Sequence, residues 1–131
     1  KIIATDIDNQ VLDKARMGLY NAKSIANVPE EFKKKYFKQI GPSYQISDEI
    51  KKQVEFKKHN LLKDTYPQGC HLIVCRNVVI YFTDEAKDDI YDKFNKSLVN
   101  GGVLFIGSTE QISNYRQFGY ERLKSFFYTK E

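Results

Sequence analysis

An α/β fold, a mainly parallel sheet carrying a small antiparallel insertion, is predicted by three features of this 131-residue sequence. The first is the apolar, β-branched run IIAT, which meets Asp6 and Asp8 as a buried parallel strand meets the loop at its carboxyl end. The second is the order strand, helix, strand from HLIVC through 84–98 to VLFIG. The third is the stretch 37–60, where turn residues and polar/apolar alternation suit short antiparallel strands.

Each element follows in turn. Asp8 suits an N-cap, Val11, Leu12, Ala15 and Leu19 recur at helical spacing, and Gly18 offers a stop. A second helix is predicted from Pro29, whose fixed φ suits a first turn, with Phe32, Tyr36 and Phe37 to one side. From Phe37 to Asn60, Gly41-Pro42-Ser43 and Ser47-Asp48-Glu49 break the chain into short strands. KQVEFKKHN alternates around Val54 and Phe56, so antiparallel hairpins are expected here. After a turn near Tyr66–Gly69, HLIVC is a short strand. Asp84 to Leu98 repeats Ala86, Ile90, Phe94 and Leu98 every fourth position with Tyr91 beside them, so one helical face is apolar. Thr83 is the expected N-cap, and the acidic first turn and later lysines suit the helix dipole. Asn100-Gly101-Gly102 is expected to end this helix before VLFIG, and YERLKSFFYTKE reads as one final strand.

Composition limits the classes. With 41% hydrophobic and 29% charged residues the chain reads as globular, with room for one domain. It has no apolar run of about 20 residues and its first residues are not a signal peptide, so a cytoplasmic protein without membrane insertion is expected. A net charge of +4, with acids scattered among the lysine clusters, does not point to nucleic acid. Cys70 and Cys75 lack the partners of a zinc site and read as buried reduced thiols, and His59 and His71 as structural residues.

Ligands of open α/β sheets collect at the carboxyl ends of strands. Asp6 there either binds a ribose, two oxygens matching two vicinal hydroxyls, or only orders its loop; it is the better candidate because Asp8 has a capping task. Asn60 either offers its amide to an adenine edge, with Leu61 against the ring, or is a turn residue. Arg76 and Asn77 lie between two apolar segments, where polar groups need a partner: a ligand or a structural salt bridge. Tyr81 is either a core aromatic, the safer reading, or a ring over a cationic ligand.

Together, ATDIDNQVLDKARMGLY, Tyr36-Phe37, VEFKKHNLL, LIVCRNVVIYF and LVNGGVLFIGSTEQIS resemble, in order and over nearly the whole chain, the CheR-type chemotaxis receptor methyltransferases. The resemblance implies a Rossmann-like class I methyltransferase sheet, incomplete at its N-terminus, with an antiparallel β-subdomain inserted at about 37–56. In some family members that subdomain docks a receptor's tail. S-adenosylmethionine would be the methyl donor, S-adenosylhomocysteine the product, and receptor glutamates the acceptors. By this resemblance Asp6 would bind the ribose, Asn60 and Leu61 the adenosine part, Arg76 and Asn77 the same pocket, and Tyr81 would lie near the methyl group. Arg76 would also stand near the entering carboxylate, which makes it and Tyr81 the candidate catalytic residues.

The implied chemistry needs neither a metal nor a general base, because a glutamate is already an anion near neutral pH and the task is alignment. The family places a helical domain and a strand with a glycine-containing loop ahead of the segment that starts at Lys1. The expectation is therefore a C-terminal part of an enzyme that binds cofactor weakly and does not methylate alone. The alternative from another class is a non-catalytic module that binds a receptor or signalling protein on a methyltransferase scaffold.

Overall fold

A computed structural model describes residues 1–107 and 110–131. They form two compact units, Lys1–Asn60 and Leu61–Glu131.

The first unit contains β1 (Ile2–Asp6), α1 (Asn9–Met17), β2 (Leu19–Asn21), α2 (Glu30–Tyr36), β3 (Phe37–Ile40), β4 (Ser43–Ile46), α3 (Asp48–Lys51) and β5 (Val54–Lys58). Asp8 caps α1 as expected, accepting from the Gln10 N–H. Gly18 ends it at φ 70, and a Cβ there would stand 2.7 Å from Ile46 Cγ2, so the left-handed turn and the close packing both require glycine. Leu19, read as part of the helical face, instead opens β2, because the chain reverses at Gly18. Pro29 immediately precedes α2, and Phe32 and Tyr36 pair one turn apart, with ring centroids 6.2 Å apart.

Two small sheets result. One is antiparallel, in the order β2-β4-β3, with Tyr20 opposite Tyr44 and Gln39 opposite Tyr44. The other corrects an expectation: β5 lies parallel to β1, from Ile2 opposite Val54 to Asp6 opposite Lys58. Alternation around Val54 and Phe56 reflects a strand covered on one face, a pattern that parallel and antiparallel strands share when the sheet is small. For the same reason β1 is not the buried strand its composition suggests: Ile2 and Ile3 are exposed.

The second unit contains β6 (Cys70–Cys75), a 3₁₀ turn (Val79–Tyr81), α4 (Asp84–Ser97), β7 (Leu98–Ile106), a second 3₁₀ turn (Tyr115–Phe118), β8 (Tyr120–Lys124) and β9 (Phe127–Lys130). Its sheet runs β6-β7-β9-β8, with β6 and β7 parallel and joined through α4, and the other pairs antiparallel. Thr83 Oγ1 caps α4 by accepting from the Ala86 N–H at 3.2 Å. The helix ends at Ser97, earlier than Asn100–Gly102, because Leu98 is already extended. The surplus residues are absorbed in the strand: Cys70 faces Leu98 while Leu72 faces Val103, with Gly101 at φ 80. The tail is a hairpin rather than one strand, turning at Ser125-Phe126 with Phe126 at φ 70.

Ile90, Tyr91 and Phe94 of α4 pack with Leu104 and Ile106 of β7 and with Val79, Tyr120 and Tyr128 into a continuous core. The Tyr120 hydroxyl, fully buried, donates to the Tyr91 carbonyl at 2.7 Å. The opposite sheet face is open at β6, where Leu72 and Val74 are exposed. No helix among the described residues is long and apolar enough to cross a membrane.

Candidate functional site

In the first unit, Asp6 ends β1 half-buried. Its Oδ1 accepts the Asp8 N–H at 2.9 Å, and its carbonyl accepts the His59 N–H at 2.9 Å, which ties the ends of β1 and β5 together. Asp8 spends its own Oδ1 on the Gln10 N–H at 2.8 Å. The two acids therefore divide as expected, one at the strand end and one on the helix. Asn60, half-buried, follows His59, so it leaves the carboxyl end of β5 beside Asp6. His59 is buried, as a structural histidine would be.

The second unit gathers Arg76 and Asn77 at the carboxyl end of β6. Arg76 is exposed and its guanidinium lies 5.3 Å from the centre of the Phe105 ring, which is itself stacked on Phe127 at 4.4 Å. The partner of this cation is thus an aromatic face rather than a structural salt bridge. Asn77 stands at φ 61, one of two non-glycine residues with positive φ among those described. Leu61 is half-buried against the core, and its carbonyl accepts the Tyr66 hydroxyl at 2.7 Å. Tyr81 is 83% exposed at the end of its 3₁₀ turn, which overturns the core reading: Val79 of the same turn supplies the buried anchor, and a three-residue turn points its neighbours elsewhere.

One residue escaped the sequence reading. Glu110 is 4% exposed, and its Oε1 accepts the Asn77 N–H at 2.7 Å. Its N–H returns to the Gly107 carbonyl at 3.1 Å, and a Cβ on Gly107 would stand 3.0 Å from Asn77 Oδ1. The carboxyl ends of β6 and β7 are joined through this group. The available signal was a glutamate just beyond the strand 98–106, at the sheet end that carries Arg76 and Asn77. Ser108 and Thr109, part of the LVNGGVLFIGSTEQIS match, lie outside the described residues. Burial, reinforced by the Glu110 charge, pushes the Cys75 thiol up to about 12 and moves the Tyr91 hydroxyl in the same direction. Cys75 is therefore an inert thiol and not a nucleophile, and Cys70, half-buried, is also unpaired.

The strand ends thus offer a carboxylate and an amide in one unit, and a guanidinium, an amide and an open tyrosine ring in the other. Polar groups at the carboxyl ends of parallel strands stand where α/β folds bind their ligands. More narrowly, the CheR methyltransferase SAM-binding domain matches residues 1–127, and the chain belongs to that family. A chemotaxis protein methyltransferase of Listeria innocua is 45% identical over 129 residues, which are 98% of this chain and 49% of that protein. Relatives of the same name in Borreliella burgdorferi and Escherichia coli are 39% and 34% identical, over 92% and 87% of this chain and 44% and 42% of their own lengths. The chain therefore spans about half the length of the curated relatives it matches. Among solved structures, a possible exported protein from Bordetella parapertussis superposes with a TM-score of 0.53 at 18% identity, over 81% of this chain and 27% of that one. That likeness concerns the fold alone.

Proposed function

We propose that the protein carrying this chain transfers a methyl group from S-adenosylmethionine to glutamate side chains in the cytoplasmic domain of chemotaxis receptors. The observation that carries the reading is the family match across residues 1–127, with Asp6, Asn60 and the Arg76-Asn77 pair at the carboxyl ends of parallel strands. On this reading the parallel strands belong to a Rossmann-like class I methyltransferase sheet. The antiparallel strands β3 and β4 form the inserted subdomain expected at about 37–56, whose last residues pass into the parallel strand β5. The enzyme works in the cytoplasm, and neither nucleic acid nor a membrane-inserted segment takes part.

The donor set suits the cofactor. Asp6 is held in one orientation by the Asp8 N–H, and its carboxylate matches two vicinal hydroxyls. Asn60 offers both a donor and an acceptor to an adenine edge, and Leu61 offers apolar contact. Arg76 and Asn77 supply polar groups at the carboxyl end of β6. When bound, the cofactor supplies a methyl group activated by a sulfonium. The open Tyr81 ring is suited to face that positive centre, and the exposed Arg76 guanidinium to orient the incoming carboxylate. No proton need be removed from a glutamate already ionised, so the residues bind, align and exclude water.

Calorimetric titration of the full-length protein with S-adenosylmethionine and S-adenosylhomocysteine tests this. Both should bind, and Asp6→Ala should weaken binding by about 10- to 100-fold, the range for losing hydrogen bonds to a charged group. Label from a methyl-labelled cofactor should appear on a receptor cytoplasmic fragment. Absence of cofactor binding by the full-length protein would sink the reading, and binding of the receptor without label transfer would leave a non-catalytic module.

A further inference from the structure

The turn after β6 has an unusual support. Asn77 sits at φ 61, a left-handed conformation that asparagine adopts more readily than other residues with a side chain. A contact from far along the chain fixes it in this turn. Here the imposing group is Glu110, 33 residues further along the chain, whose Oε1 takes the Asn77 N–H at 2.7 Å. That is a short, charge-assisted bond between a buried carboxylate and a backbone amide. Gly107 completes the joint: its bare Cα leaves room for Asn77 Oδ1, which would meet a Cβ at 3.0 Å.

The carboxylate is a poor choice for stability alone. Its second oxygen, Oε2, is buried with no hydrogen-bond partner among the described residues. An unpaired buried oxygen is penalised, and a glutamine or an apolar side chain would fill the space with less desolvation. It also places negative charge near the buried thiol of Cys75 and hydroxyl of Tyr91. A buried carboxylate oxygen left without a partner at the carboxyl end of a strand is the kind of exception that marks a functional site.

We infer that Glu110 is a positioning residue of the cofactor site: through the Asn77 N–H it fixes the Arg76-Asn77 turn in the shape that receives the ligand. The inference rests on the methyltransferase reading above. Glu110 itself need not touch the ligand. Its effect passes through the backbone of Asn77, so the group required at position 110 is a hydrogen-bond acceptor of the right length, not a charge.

Two variants separate these requirements in the full-length protein. Glu110→Gln keeps an acceptor for the Asn77 N–H, whereas Glu110→Leu fills the space without one. S-adenosylhomocysteine affinity is measured by calorimetry, folding by thermal melting, and the joint itself by hydrogen exchange of the Asn77 amide. The expected result is that Glu110→Gln retains affinity within about threefold and keeps the amide protected. Glu110→Leu should remain folded but lose about tenfold or more in affinity, with the Asn77 amide exchanging rapidly. Unchanged affinity in Glu110→Leu overturns the inference and leaves the cofactor reading intact. Equal losses in the two variants also overturn it, since charge and not the acceptor would then matter. If the wild-type protein binds no cofactor, both the reading and the inference fall.

Discussion

The two parallel strand pairs use one plan and differ in what stands behind it. β1/β5 and β6/β7 each lie beside a helix and end in polar residues, yet twelve hydrophobic residues are buried in the second unit and two, Leu12 and Ile25, in the first, among the described residues. In the first unit the Asp6 carboxylate is oriented by a local bond, from the Asp8 N–H two residues on, while only its backbone is tied across the sheet to His59. In the second, site geometry comes from long-range contacts, as when Glu110 takes the Asn77 N–H. Local bonds order a loop at little entropic expense, whereas a joint made across the chain is only as firm as the core that carries it.

The largest effect should follow from breaking that core. Tyr120 is wholly buried and its hydroxyl is satisfied by Tyr91, so Tyr120→Ala should destabilise the second unit by about 3–5 kcal/mol. Tyr120→Phe removes only the hydroxyl and leaves the Tyr91 carbonyl without that donor, which should cost about 1–2 kcal/mol. Leu12→Ala, in the thinner unit, should stay near the lower end of the range for aliphatic truncations, about 2 kcal/mol. Urea denaturation followed by hydrogen exchange reads both units separately. Equal losses for Tyr120→Ala and Leu12→Ala would erase the contrast.

Next in size is a dependence on alkaline pH that belongs to the second unit. The Cys75 thiol, 7% exposed, is raised from its ordinary 9.0 to about 12, chiefly by burial and then by the Glu110 charge. Burial likewise raises the hydroxyls of Tyr66, Tyr91 and Tyr120. A group that holds its proton more tightly folded than unfolded gives its full stabilisation below the unfolded value. That stabilisation is lost as pH climbs toward the folded value. Cys75 should therefore weaken the unit from about pH 9 upward, by at most about 1.4 kcal/mol per pH unit. The urea midpoint measured at pH 8, 9.5 and 10.5 should fall, and Cys75→Val should flatten part of the slope. A midpoint independent of pH over that range would show that the buried groups ionise without unfolding.

The same contrast governs what could be read in the sequence. Features set within a few residues were legible: the Asp8 and Thr83 caps, the Gly18 stop and the apolar face through Ile90 and Phe94. Features set by distant partners were not. Val54–Lys58 was expected in an antiparallel hairpin, because its alternation does not reveal the strand direction that β1 imposes. Leu19–Asn21 has three residues and owes its strand form to β4, 24 residues away at Tyr44 opposite Tyr20. The β8–β9 hairpin hid because Phe126, not glycine or asparagine, occupies the left-handed position that usually advertises a turn. Glu110 hid for the same reason: nothing adjacent in the chain says that its carboxylate will meet Asn77. Arg76 and Asn77 were visible because a polar pair inside an apolar stretch is itself a local signal.

The smallest expected effect bears on the local half of the comparison. Asp6 and Asp8 are two residues apart, and both sit in one loop as hydrogen-bond acceptors. If they are divided between ligand and helix, the two alanine variants should differ in kind. Asp8→Ala removes the acceptor for the Gln10 N–H and should lower stability by about 1 kcal/mol. It leaves the Asp8 backbone N–H to orient Asp6, so cofactor affinity in the full-length protein should change by no more than about threefold. Asp6→Ala should do the reverse, with its larger effect on affinity. Equal affinity losses would mean that both carboxylates reach the ligand, since one cap on a nine-residue helix cannot by itself explain a loss of that size. A large stability loss in Asp6→Ala with intact binding would instead return Asp6 to the role of a loop residue.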